Sequence, residues 1–174
     1  MFEGWSEFYL MAGGAAAVLI GLIFVVISLM QDRSRESVLQ GSRLYMGPIV
    51  LGVSFVLVLS AAALMPHLEH RQFALITAAV ALWGLVRGVM SSIGIRDLKD
   101  EVHWTDLWFY GIFPSLFYLA LGAIAWAFWQ DLPWARPALA AFVTTGLLLA
   151  IRNEWDLITW IAPRPESKDE FGAS

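Results

Sequence analysis

The chain has 174 residues, 59% of them hydrophobic and only 15% charged, with a net charge of −4. An ordinary soluble domain is about half apolar and a quarter charged, so this balance and a mean hydropathy of +0.66 point to a membrane protein built as one compact unit. The absence of cysteine excludes a disulfide framework, a thiolate nucleophile and a cysteine metal site, and the negative charge leaves no basic footprint for nucleic acid.

The first seven residues hold Glu3 and Glu7 and no lysine or arginine. The apolar run that follows, 8–30, is longer than the core of a signal peptide and lacks its basic flank. It is expected to be a retained membrane span. Four more runs are long enough to cross a bilayer, which takes about 20 apolar residues: 44–65, 72–95, 107–130 and 132–151, the last with a possible extension to 161. Backbone polar groups in lipid must be satisfied within the segment, so runs of this length are helices. The expected fold is therefore all-α, a polytopic bundle of five transmembrane helices over residues 1–161. The tail 162–174 has prolines and mixed charge and is expected to be disordered in the cytoplasm.

Small residues mark possible sites of close helix approach. The first span carries Gly13, Ala17 and Gly21 at intervals of four, and the third carries Gly84, Gly88 and Ser92. Such spacing lets another helix come near. Two readings of these faces stand open, packing within the monomer and an oligomer contact. Trp83 sits mid-span, away from the interfacial belts that tryptophan prefers, and is expected to serve packing. His67 and His70 could share a face, but a metal needs three or four ligands, and His103 is expected at the opposite surface. No metal or cofactor is expected.

Orientation follows from the connections. Eight lysines and arginines fall in segments 31–43, 96–106 and beyond 151, against two in segments 66–71 and 131–136. The positive-inside rule then puts the N-terminus outside and the C-terminus in the cytoplasm. The short segment 96–106 is expected to start the fourth helix, capped by Thr105 or Asp106.

The last span is unusual. It meets Arg152, Asn153, Glu154 and Asp156, then returns to apolar residues up to Ile161. One basic residue elsewhere lies at a compatible depth. Arg87 is eight residues above Ile95, or roughly 12 Å into the membrane. If the last helix runs to Ile161, Glu154 lies roughly 10 Å above its end. An unpaired arginine near the bilayer centre costs about 2.5–3.5 kcal/mol on insertion scales. The matching depths predict a buried polar cluster in which Arg87 pairs with Glu154 or Asp156, and Asn153 joins by hydrogen bonds. Two other readings stand beside it. The helix could leave the membrane near Ile151 and continue as an amphipathic surface segment, with Arg87 snorkelling to the headgroups. Or the cluster could be a functional relay.

Two stretches carry a resemblance. Phe8-Tyr9, Gly13-Gly14-Ala15-Ala16-Ala17, Gly21-Leu22-Ile23-Phe24-Val25 and Ser28-Leu29 form one. Asn153, Trp155 and Asp156 form the other. Together they resemble the first helix and the Asn-x-Trp-Asp ending of a broad set of small, uncharacterised bacterial multi-pass inner-membrane proteins. The likeness covers about a fifth of the chain. It implies a bacterial inner-membrane location and carries no activity with it. The functional expectation is an assembly, interaction or modulatory membrane subunit, with a second copy or another membrane protein as partner besides the lipid bilayer. The alternative is a small oligomeric channel or transporter, with Arg87, Glu154 and Asp156 lining a cytoplasmic vestibule. An intramembrane enzyme is disfavoured, because no nucleophile–base pair or metal set shares one depth.

Overall fold

The computed structural model describes residues 2–29, 47–96 and 113–161. Within them the chain forms α1 (Ser6–Leu29), α2 (Gly47–Leu64), α3 (His70–Arg96), α4 (Phe113–Trp129) and α5 (Ala135–Ile161). The segment 31–43, the expected cap at Thr105 or Asp106, His103 and the tail 162–174 lie outside the described residues, as does the side chain of Ser92.

Each helix begins or ends on identifiable local chemistry. The chain enters α1 through a turn in which the Trp5 amide donates to the Phe2 carbonyl at 2.9 Å. Gly4, with φ of +80°, supplies the left-handed third position of a type II turn. At the start of α3 the Glu69 amide donates to Gln72 Oε1 at 3.1 Å. This is the back-bonding half of a capping box. Helix α4 stops in a Schellman motif, with the Leu132 amide on Ala127 O at 2.9 Å and the Asp131 amide on Phe128 O at 3.1 Å. Asp131 holds the left-handed position, φ 51°, which aspartate tolerates better than most residues.

The short connections make α2–α3 and α4–α5 antiparallel hairpins, since a few residues only suffice to turn back on a neighbouring helix. Gly84 meets Tyr118 and Gly88 meets Ser115, so α3 and α4 also run antiparallel and pack along much of their length. Helix α1 packs along α2, with Gly13 opposite Ser60. Helix α5 touches α1, α2 and α4. At the end that carries the N-terminus an aromatic group ties the helices together. Phe2 meets Tyr9 edge-on at 5.1 Å and Phe73 at 4.9 Å, and Phe73 meets Phe128 at 4.8 Å. Such edge-to-face pairs are favoured by the ring quadrupoles.

The outside of the bundle is apolar. Leu10, Met11, Val18, Leu82, Leu148 and Trp155 all point outward and are exposed. In water such a surface would be a large aggregation patch; in hydrocarbon it is the natural solvent-facing side. Three helices hold stretches long and apolar enough to cross a bilayer: Ser6–Val26, His70–Met90 and Ala135–Asp156. The apolar parts of α2 and α4, Ile49–Leu64 and Phe113–Trp129, are shorter as described. The protein is an all-α, multi-span membrane helix bundle. Trp83 departs from expectation. It is 62% exposed on the outer face of α3, because the residues that pack on α4 are those in phase with Gly84 and Gly88, and Trp83 is out of that phase.

Candidate functional site

Helix α5 presents Leu139, Val143, Gly146, Ala150 and Glu154 to the bundle, spaced by three and four residues. That is the spacing of one helix face. Four of the five are small or aliphatic, and the fifth is a carboxylate. Gly146 sits against Val56 of α2 and near Phe117 of α4, and Phe117 stacks on Phe142 at 4.1 Å between ring centres. Two turns further on, roughly 12 Å, Glu154 reaches the level of the first turn of the antiparallel α2. It is only 8% exposed. Its Oε1 is shielded and accepts no hydrogen bond from the described residues.

The rest of the expected cluster is not gathered around it. Arg152, Asn153 and Asp156 are exposed on the other faces of α5, as the 100° step between helical residues requires. Arg87 is exposed on α3 and forms no ion pair with Glu154 among the described residues. The two helices scarcely touch, since α3 packs on α4 and α2. Because Gly88 meets Ser115 while Gly146 lies near Phe117, Glu154 sits roughly two turns beyond the level of Arg87. Residue counting from the helix ends pointed to the pair; neither a common level nor lateral adjacency is met. Of the five residues expected to form a buried polar cluster, Glu154 alone is buried.

The small-residue positions divide in the same way. Gly84 and Gly88 are buried against α4, and Gly13 is half-buried against Ser60, whose Cβ would lie 3.3 Å from a Cβ at Gly13. Ala17 and Gly21 are exposed. A Cβ at Gly14 or Gly21 would meet nothing within 4 Å. Helix α1 packs instead through Tyr9, Ala12, Ala16, Leu19 and Ile23, a strict three-four repeat on the opposite side.

The chain matches no known family, curated protein or solved structure. What the site can do therefore rests on its own residues. No group of three or more histidine, aspartate or glutamate side chains capable of holding a metal occurs among the described residues.

One polar group lies outside the sequence expectations. His70 Nδ1 approaches Asp131 Oδ1 to 2.9 Å, and an Arg136 guanidinium nitrogen lies 3.8 Å from the same oxygen. The histidine contact is close but lacks hydrogen-bond alignment, so it is a charge contact only when the ring is protonated. Arg71 sits over the Trp129 ring at 5.5 Å. These contacts bind the start of α3 to the α4–α5 turn. The signal for them was available in principle. A 66–71 loop and a 131–136 loop assigned to the same surface, each with one acid and one arginine, are candidates to meet. Tyr9 and Ser60 are also buried with unpartnered hydroxyl oxygens.

Proposed function

We propose that this protein is an assembly or modulatory membrane subunit that uses the open small-residue face of α1 to receive another transmembrane helix. The observation that carries the reading is the division of α1. Its three-four stripe from Tyr9 to Ile23 is consumed inside the bundle, while Gly14, Ala17 and Gly21 line a separate, uncovered face. Helices associate in lipid by close packing and not by a hydrophobic drive. A face of small residues is where backbones can approach. The reading includes five crossings, an outside N-terminus and a cytoplasmic C-terminus in a bacterial inner membrane, on the strength of the charge bias of the connections and the Asn153, Trp155, Asp156 resemblance.

The chain has no cysteine, so single introduced cysteines report contacts cleanly. Cysteines at Ala17 or Gly21 are expected to form disulfide-linked species in native membranes. Cysteines at Met11 or Leu22, on the other outward flank of α1, are expected not to. A monodisperse monomer in nanodiscs with no cross-link at any of these positions would overturn the reading. The second reading, an oligomeric channel with a polar vestibule, is favoured by one observation, the buried Glu154. Ion flux in proteoliposomes tests it, and no flux above empty vesicles removes it.

A further inference from the structure

We infer that Glu154 is a proton-binding site in the interior of the bundle. Its position is the starting point. Glu154 continues the inward stripe of α5 below Leu139, Val143, Gly146 and Ala150. Among the described residues it is the only carboxylate or basic side chain that is buried, and its Oε1 has no hydrogen-bond donor there. An ionised carboxylate removed from water needs compensating donors or a counter-charge. The helices packed around it, as described, offer neither. Helix α1 has no charged residue after Glu7, α2 has none, and α4 has none. The titratable groups on those helices are Tyr9, near the far end of α1, and Tyr118 on α4. On α5 itself Arg152 and Asp156 point outward and are exposed.

Two ligands could compensate the carboxylate, a metal cation or a proton. A hard metal cation takes six or more oxygens, or keeps several of its waters. The inward residues at this level, Ile23 of α1 and Ile49 of α2, are aliphatic, and no multidentate set of acids and histidines exists among the described residues. A proton needs one oxygen, and one is present. Glu154 therefore takes up a proton on its carboxylate to give the neutral acid, and releases it again to water at the nearby end of the bundle. Ionisable residues held inside membrane domains mark ion pathways and proton relays. Proton binding at Glu154 is independent of the α1 face, and either can fail alone.

Infrared spectra of the full chain in phospholipid vesicles test it. Spectra of the wild type and of Glu154→Gln are compared from mildly acid to mildly alkaline pH, in buffer whose only cation is choline. The expected result is a carboxylic-acid carbonyl band in the wild type, missing from the variant, that converts to carboxylate bands as pH rises. Adding sodium, potassium, magnesium or calcium at fixed pH is expected to leave it unchanged, and Asp156→Asn is expected to keep it. Should Glu154→Gln fail to fold, the band is assigned in the wild type by its loss on modification with dicyclohexylcarbodiimide, with the adduct mapped to Glu154 by mass spectrometry. A Glu154 carboxyl that stays ionised or stays protonated across the range overturns the inference. So does a band abolished by a metal ion, which would make the site a cation site.

Discussion

The ring of Tyr118 on α4 occupies the volume that a side chain at Gly84 on α3 would need. The same ring packs edge-on against Phe55 of α2 at 5.7 Å, so it cannot retreat without disturbing a third helix. Gly84→Ala gains about 1 kcal/mol of helix propensity and incurs overpacking of about 1–3 kcal/mol. Because the obstructing atoms belong to a ring and not to a flexible tip, overpacking wins and the thermal midpoint in detergent falls. Gly14→Ala, which meets open space, should raise it or leave it unchanged. If Gly84→Ala is as stable as Gly14→Ala, the α3–α4 register is wrong. The penalty of Gly84→Ala should be smaller in a Tyr118→Ala background than in the wild type, since residues in contact are not additive.

Asp131 serves two purposes in the α4–α5 turn, and substitutions separate them. Its left-handed backbone, φ 51°, penalises β-branched residues, and its carboxylate contacts His70 and Arg136. Asp131→Gly keeps the turn and loses only exposed charge contacts, worth about 0–1 kcal/mol. Asp131→Val loses those contacts and adds about 1–2 kcal/mol of left-handed strain. Chemical denaturation in mixed micelles should therefore rank wild type, then glycine, then valine. A valine variant equal to the glycine variant would mean the turn is not formed as described.

The start of α3 yields a smaller effect. Gln72 accepts from the Glu69 amide, and deleting a cap of this kind costs about 0.5–2 kcal/mol. Gln72→Ala should accelerate amide exchange at Glu69 and in the first turn of α3, with little change in the middle of that helix. Uniformly faster exchange along α3 would point to a global loss and against a cap.

Why Glu154 was legible in the sequence and its surroundings were not follows from helix geometry. Position along a helix is set by counting residues, at 1.5 Å each, so the place of Glu154 along α5 was readable, while its level relative to Arg87 depended on how the helices are offset. Rotation about the axis is set by which neighbour each helix packs on, and that is decided by contacts distant in sequence. Gly84 and Gly88 turn one side of α3 to α4, leaving Trp83 and Arg87 outward. The inward stripe from Leu139 to Glu154 is present in the residue spacing, and that spacing alone puts Glu154 on a different face from Arg152 and Asp156. The same limit applies to α1. Gly13, Ala17 and Gly21 have one spacing, but Gly13 meets Ser60 while Ala17 and Gly21 face outward. A residue step of four rotates by about 40° beyond a full turn, enough to carry a row of small residues off a straight seam.

That division of α1 gives the sharpest test of the assembly reading, because adjacent alanines have opposite fates. Ala16 is fully buried and Ala17 is exposed. Ala16→Leu forces a large side chain into the seam with the bundle, and overpacking of about 1–3 kcal/mol should lower the stability of the isolated chain. Ala17→Leu leaves that seam alone, and its isolated stability should match the wild type. Its effect should fall on association. A leucine there holds an approaching helix away from Gly14 and Gly21, so cross-linking through Gly21→Cys should drop when Ala17→Leu is added. Thermal midpoints of the two leucine variants, read beside that cross-linking yield in native membranes, separate the two faces. Undiminished cross-linking with Ala17→Leu would move the association surface off α1.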